Sequence, residues 1–407
     1  MTAKLRPFAD LLLGLAVVLV VDVVAFHQGF YFGWLRPDSY AGRVEQSSRR
    51  FAALRAGNPL RQVVVLSNST GNACIDEAEL QGSLQGAGWP LAAINLSEGG
   101  SSARSWYHLL RHEAVTRATT AVVVLGVHPM SLEAGDVKPD LEILKTRLGL
   151  VDLATLPWSY EKTERRLQVA TAVAFRTPLF GEDLRDFLAA PRERLAAVAA
   201  AARNPDNLKL GWRTARSRAT LESARLDAAG NLDLAALDPR LRRDPKLVRQ
   251  LTNTLRRRAA AVATPAPPMV IEGQQAAMLK AAVRLLDRRG VAVVVAVTPF
   301  SPYPAPGPSI APLAELVAEL RQEGARVTLF HDQAMLTAIE GPTYFRDLLH
   351  VNVAGAEIYT RSLAAFLANG FASAAIPIVE KPGPPRPMPA RPLPPPADGE
   401  AAPEPEA

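Results

Sequence analysis

Two short segments, far apart in the chain, carry the residue types of an acyl-transfer site. Ser69 lies in "VVVLSNSTGN" at 63–72, and Asp347 and His350 lie three residues apart in "RDLLHVN". A serine hydroxyl is a weak nucleophile at neutral pH unless a base lies within hydrogen-bond reach and a third group orients that base. The i, i+3 spacing puts Asp347 and His350 on the same side of a turn. The sequence therefore predicts a triad with Ser69 as nucleophile, His350 as base and Asp347 as orienter.

Two further polar segments follow predicted strands. "NLSEGGSSA" offers the backbone N–H of Gly99 or Gly100 as a donor for a negatively charged oxygen, and "LGVHPMS" carries His128. Together with the N–H of Ser69, such donors stabilise an oxyanion. Each segment also fits an ordinary role, because "SNST", which includes Asn68, is typical of a helix cap and paired glycines are typical of turns. The conjunction of all four segments favours a site that includes Asn68 and His128.

Alternating strand and helix patterns place these segments at one edge of a sheet. Strands are predicted at 61–67, 90–97, 119–127, 291–299 and 325–332, and helices at 74–88, 103–115, 273–290, 310–324 and 352–370. Such alternation indicates parallel strands joined by crossover helices. Because ligands bind at the carboxyl ends of parallel strands, the segments that follow the strands are the ones expected to meet.

The sequence divides into six predicted parts. They are a cytoplasmic stub and transmembrane anchor at 1–35, a linker helix at 36–60, the first part of the α/β domain at 61–129, a mainly helical insertion at 130–269, the second part of the α/β domain at 270–372, and a Pro-rich disordered tail at 373–407. A hairpin-like turn is expected within the insertion at "LDAAGNLDL".

The apolar run from Phe8 to Phe26 is long enough to cross a bilayer as a helix. Lys4 and Arg6 precede it, which favours a cytoplasmic N-terminus by the positive-inside rule. We therefore expect a single-pass inner-membrane protein whose globular part is periplasmic. Asp22 is costly in hydrocarbon unless it lies near the headgroups or meets a partner helix, and its position near one end of the run favours the headgroups.

Composition excludes several classes of partner and site. The chain has 46 Lys and Arg against 40 acidic residues, too small an excess for a nucleic-acid partner. The Arg clusters at 240–243 and 256–258 are expected on solvated helix faces. His108 and His112 have a zinc-binding spacing but no third ligand, so we expect surface residues, no metal and no cofactor. Cys74 is expected to be buried, and His331 and Asp332 to form a strand-end cap.

The order of the segments resembles the SGNH/GDSL hydrolases. "SNS" at 67–69 is similar to the GDS block of that family, "EGG" at 98–100 to its glycine block, "GVHP" at 126–129 to its GxND block and "DLLH" at 347–350 to its DxxH block. The resemblance covers roughly residues 60–130 and 270–370. Ser67 replaces the usual Gly, Asn68 the usual Asp, and His128 the oxyanion Asn.

The resemblance implies an α/β fold with a three-layer, flavodoxin-like parallel sheet, here with a helical insertion and an N-terminal transmembrane helix. The end of the chain is similar to membrane-anchored members that work beside membrane-bound O-acyltransferases, such as the alginate O-acetylation and D-alanyl-lipoteichoic acid transfer proteins. We expect a serine esterase or O-acyltransferase acting on acyl esters of an extracytoplasmic glycan or polymer. Its substrate would be an acylated carbohydrate or a small ester, and its partner a membrane-bound O-acyltransferase. The alternative is a catalytically impaired binding or assembly subunit, which the His128 substitution favours.

Overall fold

The computed structural model describes residues 6–57, 60–113, 115–128, 132, 137–203, 218–260, 271, 273–301, 303 and 309–377. The strands are β1 Gln62–Ser67, β2 Ala92–Asn95, β3 Thr120–Val127, β4 Ala292–Val297 and β5 Val327–Phe330. The helices within these ranges are α1 Arg6–Val21, α2 Tyr40–Gly57, α3 Ser69–Cys74, α4 Glu77–Gly86, α5 Ala103–His112, α6 Val137–Leu144, α7 Thr163–Ala174, α8 Thr177–Ala189, α9 Pro191–Arg203, α10 Pro245–Ala260, α11 Gly273–Arg288, α12 Ala311–Gln322, α13 Gln333–Ile339 and α14 Val353–Ala372.

The five strands form one parallel sheet in the order β2-β1-β3-β4-β5. Four of them are buried along their whole length, as continuous runs of Val, Ala and Leu in a sheet covered on both faces require. Ser67 pairs with Gly126, and Gly126 pairs with Ala296. The carboxyl ends of β1, β3 and β4 therefore lie side by side, which confirms the predicted α/β class with parallel strands.

Helices cover the two faces of the sheet in two groups. The step from β1 to β2 and the step from β2 to β3 run in opposite directions across the sheet. Because crossover connections are right-handed, their helices α4 and α5 lie on opposite faces. α14 packs against α4, and α11 packs against α5. Side chains of the insertion, such as Val173 and Leu237, belong to the same hydrophobic core as the strands.

One predicted helix begins three residues later than expected. The helix expected at 74–88 begins only at Glu77, because Ile75 is extended and the Asp76 carboxylate accepts a hydrogen bond from Ala78 N at 2.8 Å. α3 precedes the break, and Asp76 N donates to Thr360 Oγ1 of α14 at 3.0 Å. The short helix α13 is absent from the prediction, although Asp332 caps it as expected.

The N-terminal helix is long and apolar enough to span a membrane over Asp10–His27. α1 continues into one π-helical turn at Asp22–His27. Asp22 is only 2 % exposed, and its carboxylate accepts hydrogen bonds from Thr177 N and Thr177 Oγ1 at the start of α8. Asp22 therefore meets a partner helix, one of the two environments considered for it, and this same chain supplies that helix.

A small aromatic cluster surrounds that contact. Phe26 of the anchor stacks on Phe180 of α8 with ring centroids 4.6 Å apart, and Tyr31, Leu35 and Ala41 complete the buried cluster. Arg176 Nη1 donates to Phe26 O at 2.8 Å. We call the hydrogen-bonded group of Asp22, Phe26, Arg176 and Thr177 the anchor contact.

The second half of the insertion contains the expected hairpin-like turn, with Leu226 and Leu232 bridged in antiparallel fashion. The two Arg clusters, which were predicted to lie on solvated helix faces, also donate hydrogen bonds to backbone carbonyls of the insertion. Arg256 Nε donates to Gly230 O at 2.6 Å, and Arg242 Nε donates to Leu237 O at 2.7 Å. These arginines therefore stabilise the insertion. The Pro-rich tail lies outside the described residues from 378 onward.

Candidate active site

The two serines after β1 have different environments. Ser67 is fully buried and donates a hydrogen bond to Gly126 O at 2.6 Å. Ser69 is partly exposed at the first position of α3, and its hydroxyl forms no hydrogen bond with any residue in the described ranges. Ser69 is therefore the serine whose hydroxyl is free to react.

The turn that presents Ser69 is fixed by its neighbours. Asn68 caps α3, its side-chain oxygen accepting from Thr70 N at 2.9 Å and Thr70 Oγ1 at 2.6 Å. Thr70 Oγ1 also lies 3.1 Å from Thr298 Oγ1, just past the end of β4. A Cβ added to Gly71 would lie 2.1 Å from Ser67 Oγ, so only glycine fits there. The side-chain oxygen of Asn68 thus has a capping role, and the binding role of Asn68 stays a prediction.

Asp347 and His350 form a hydrogen-bonded pair. His350 Nδ1 lies 2.9 Å from Asp347 Oδ1 and 3.0 Å from Asp347 Oδ2. The same carboxylate accepts from the backbone N–H of Leu349 and His350, so the turn itself is closed by Asp347. Burial raises the pKa of Asp347, but the His350 ring and the two N–H donors outweigh it and hold the pKa below its usual value.

The pair leaves one ring nitrogen of His350 available. In the structurally described part of the chain, Nε2 has no hydrogen-bond partner, and the side chain is 20 % exposed. With Nδ1 bonded to a carboxylate, the neutral ring carries its proton on Nδ1, and Nε2 is the basic nitrogen. This is the orientation that a general base requires.

His128 follows β3 at the same edge of the sheet. It is 3 % exposed and its ring stacks on Phe300 with centroids 5.4 Å apart. Burial, together with a smaller contribution from the neighbouring His350, lowers the pKa of His128 to about 4. His128 is therefore a neutral imidazole at neutral pH, and it lies near enough to His350 for the two rings to interact electrostatically.

The strand register relates Ser69 to that pair of histidines. Ser67 pairs with Gly126, and Ser69 and His128 each lie two residues beyond these partners on adjacent strands. Neighbouring strands lie about 4.8 Å apart, so both residues leave the sheet at the same level. No hydrogen bond joins Ser69 to His350 among the residues described. The structure thus brings His128 and His350 near one another, with Ser69 at the start of α3, two residues beyond the adjoining strand β1.

The structure distinguishes the two glycines of the predicted donor pair. Gly99 N donates to Glu98 Oε1 at 3.1 Å, whereas Gly100 N and Ser69 N have no partner in the described ranges. Gly100 has φ +75, a left-handed conformation that favours glycine. A Cβ added to Gly99 would lie 3.7 Å from the Ser69 Cβ, so this turn lies beside the serine. Ser69 N–H and Gly100 N–H are the available donors. We call Ser69, Gly100, His128, Asp347 and His350 the site edge.

Sequence reasoning missed the part of α2 that covers this glycine turn. Arg43 Nε donates to Glu98 Oε1 at 2.8 Å, and the Arg43 guanidinium lies 5.1 Å from the centre of the Tyr40 ring. The Tyr40 hydroxyl would lie 3.6 Å from a Cβ at Gly100. Burial raises the pKa of Glu98, and the Arg43 guanidinium opposes that rise. The available sequence signal was the seven-residue spacing of Val44 and Phe51, which puts both apolar side chains on one face of α2, and both are buried in the structure.

The other singled-out residues lie elsewhere. His108 is fully buried, whereas His112 is exposed as expected, and both contact the buried Asp152 carboxylate, His112 Nε2 at 2.9 Å and His108 Nδ1 at 3.4 Å. The expectation that His108 is a surface residue is wrong, because Asp152 gives its ring a polar partner inside the core. Cys74 is buried, and burial raises the pKa of its thiol.

Two comparisons with known proteins found no relative of this chain. The chain matches no protein-family model and no curated protein sequence.

Proposed function

We propose that the chain is a membrane-anchored serine esterase or O-acyltransferase of the SGNH type. The observation that carries the proposal is the Asp347–His350 pair, at 2.9 Å, with Nε2 of His350 left available at the edge from which Ser69 emerges. A parallel sheet in the order β2-β1-β3-β4-β5 supports it, since this is the order of flavodoxin-like sheets, whose ligands bind at the carboxyl ends of the strands.

In the first step, Ser69 Oγ attacks the carbonyl carbon of the bound ester while His350 Nε2 takes the hydroxyl proton. The carbonyl oxygen becomes an oxyanion, which Ser69 N–H and Gly100 N–H stabilise by hydrogen bonds. When the C–O bond to the alcohol breaks, His350 returns the proton to the leaving oxygen, and the acyl group stays on Ser69. Asp347 keeps the His350 ring oriented throughout and stabilises its charged form.

In the second step, an acceptor hydroxyl attacks the acyl-enzyme, with His350 again taking and returning the proton. Water as acceptor gives hydrolysis, and a carbohydrate hydroxyl gives transfer. The anchor and its flanking charges favour a periplasmic site, so the proposed substrate is an acyl ester of an extracytoplasmic glycan or polymer. A membrane-bound O-acyltransferase is the proposed partner that supplies acyl groups.

A second candidate function is a binding or assembly subunit with the same fold and no turnover. Two observations favour it: Ser69 and His350 share no hydrogen bond within the described ranges, and His128 stacks on Phe300 where the resembled family has an asparagine donor. Catalytic hydrogen bonds often tighten only when substrate is bound, so this geometry is compatible with both candidates.

Hydrolysis of 4-nitrophenyl acetate by the full chain in detergent tests the proposal. We expect turnover that Ser69→Ala abolishes and that Ser83→Ala leaves unchanged, since Ser83 lies on α4, outside the site edge. Addition of a soluble glycan acceptor then separates transfer from hydrolysis by the fate of the acetyl group. Turnover that survives Ser69→Ala would contradict the assignment of the nucleophile, and no turnover with either acceptor would favour the binding subunit.

A further inference from the structure

The turn between α7 and α8 is bonded to the last turns of the membrane anchor. Thr177 donates hydrogen bonds to the Asp22 carboxylate, and Arg176 Nη1 donates to Phe26 O at 2.8 Å. A third contact joins His27 Nε2 and Ala174 O, which lie 3.3 Å apart. Phe175 lies at the tip of this turn and is 44 % exposed. The turn and the end of the anchor therefore occupy the same level of the molecule.

The length of the anchor fixes where that level lies in a bilayer. The apolar stretch Asp10–His27 has 18 residues. At about 1.5 Å per residue it is roughly 27 Å long, close to the roughly 30 Å of a bilayer hydrocarbon core. Asp22 to His27 is the last part of it, so the residues bonded to Asp22 and Phe26 lie within about 10 Å of the end of the span. That depth is the boundary between acyl chains and headgroups.

The polar groups of the contact are arranged as that boundary requires. Backbone N–H and C=O groups that reach hydrocarbon must be satisfied internally. The Asp22 carboxylate satisfies the first N–H of α8, and Arg176 satisfies Phe26 O at the end of the anchor. Both Asp22 and Arg176 are 2 % exposed, so each charged group contacts the other segment, Asp22 the start of α8 and Arg176 the end of the anchor, and not the solvent or lipid.

The outer surface of the same region is apolar. Val23 and Val24 of the anchor are 48 % and 52 % exposed, and Phe30 is 65 % exposed. On α7, Leu167 is 69 % exposed and lies about two helical turns before the end of the helix at Ala174. Large apolar side chains in this region, outside the buried and hydrogen-bonded Asp22 and Arg176, match the interface of a bilayer.

We propose that the α7–α8 turn is a second membrane contact, in which the exposed Phe175, Phe30 and Leu167 enter the acyl–headgroup boundary next to the chain's own anchor. The occupant of this apolar surface is lipid, because the surface is continuous with the span that lipid already surrounds. Two contacts instead of one fix the orientation of the domain relative to the bilayer.

This orientation has a consequence for the site edge, which rests on the proposed function. Ala41 packs in the same cluster as Phe26, and Tyr40, one residue earlier, reaches the turn of Gly100. The glycine turn of the site edge is therefore held on the membrane-facing side of the domain. An acyl ester presented at the bilayer surface is the substrate geometry that this placement favours.

Spin labels on single introduced cysteines test the membrane contact. Cys74 is fully buried, so the unmodified full chain, reconstituted into phosphatidylcholine and phosphatidylglycerol vesicles, serves as the unlabelled blank. The test positions are Phe175→Cys and Leu167→Cys. The references are Leu15→Cys within the span and Ala118→Cys, in the turn before β3 at the opposite edge of the sheet. Accessibility of each label to oxygen and to a soluble nickel chelate reports its depth.

We expect the ratio of oxygen to nickel accessibility at Phe175 and Leu167 to lie between those of the two references, several-fold above Ala118. Labels at both test positions that match Ala118 while Leu15 is deep would overturn the proposal in favour of solvent or a protein partner. A water-accessible Leu15 would overturn it together with the span. Neither readout depends on catalysis, so failure here is distinguishable from failure of the esterase assay.

Discussion

The polar groups of the site edge and those of the anchor contact differ in hydrogen bonding and in exposure to solvent. At the site edge, Ser69 Oγ, Gly100 N and His350 Nε2 have no partner among the described residues and are accessible. At the anchor contact, Asp22 and Arg176 are 2 % exposed, and their charged groups bond to helix ends. Unpaired groups at the first region cost little because water reaches them, whereas unpaired groups at the second would cost a full desolvation penalty. We therefore expect substitutions of the exposed groups at the site edge to change activity and substitutions at the anchor contact to change stability.

The largest expected effect is on activity at the site edge. His350→Gln removes the base, and we expect a loss of roughly 10⁴-fold or more in kcat, with Asp347→Asn losing about 10²–10⁴-fold. Because the residues act as a unit, the double variant should be no slower than the slower single variant. Steady-state kinetics and thermal unfolding of the three variants check this. Losses of kcat that multiply in the double variant would contradict a site whose residues act as a unit. A melting temperature that falls together with kcat would contradict the expectation that the site edge governs activity and not stability.

A steric test addresses the scaffold beneath Ser69. Gly71→Ala puts a methyl group 2.1 Å from where Ser67 Oγ lies, and overpacking of this kind costs about 1–3 kcal/mol of unfolding free energy. Ser67→Gly removes the clashing side chain, so the double variant should recover most of the lost stability. Chemical denaturation measures both variants, and a double variant as unstable as Gly71→Ala alone would show that the clash lies elsewhere.

The pH dependence of stability isolates His128. Its pKa is lowered to about 4 in the folded protein, below its unfolded value, so the unfolded chain binds the proton first as pH falls. Stability from this group is therefore lost between about pH 6.5 and 4, and the unfolding free energy should be about 2 kcal/mol lower at pH 5 than at pH 7. His128→Asn should remove this contribution to the pH dependence of the unfolding free energy. Identical pH slopes for the two proteins would contradict the buried neutral imidazole.

The same variant sharpens the functional comparison, because asparagine is the residue that the resembled family has at this position. If His128 stands in as an oxyanion donor, His128→Asn should retain or raise esterase activity. A loss of activity comparable with His350→Gln would instead assign His128 a role that asparagine cannot supply.

The smallest expected effect concerns the anchor contact. Asp22→Ala removes the acceptor for the first N–H of α8, and loss of a helix cap costs about 1 kcal/mol of unfolding free energy. Asp22→Asn keeps an acceptor oxygen and should cost less. Thermal unfolding in detergent measures both, with esterase activity of the folded fraction unchanged. A large loss of activity with intact stability would contradict the separation of the two regions.

Local patterns were sufficient to predict most of the sheet and the Asp347–His350 pair. Continuous β-branched runs such as "VVVL" and "VAVVVAV" favour strands buried on both faces, and the Asp347–His350 pair depends on three residues of spacing within one turn. The helix at 74–88 was wrong at its start because Asp76 is a better cap than an interior helix residue.

Long-range contacts were beyond the sequence. Asp22 and Thr177 are 155 residues apart, and nothing in either segment predicts that they meet. The burial of His108 depends on Asp152 in the insertion, and the choice of Gly100 over Gly99 depends on the Glu98 side chain taking one N–H. Each of these required the folded arrangement of charged partners, which residue spacing does not encode.

The most direct test of the central claim is the site at which a fluorophosphonate probe attaches to the full chain. The probe forms a covalent bond with the oxygen of a serine that a nearby base activates, and peptide mass spectrometry identifies that serine. We predict a single adduct on Ser69 that disappears in His350→Gln. An adduct on another residue, or a Ser69 adduct that persists in His350→Gln, would contradict activation of Ser69 by His350.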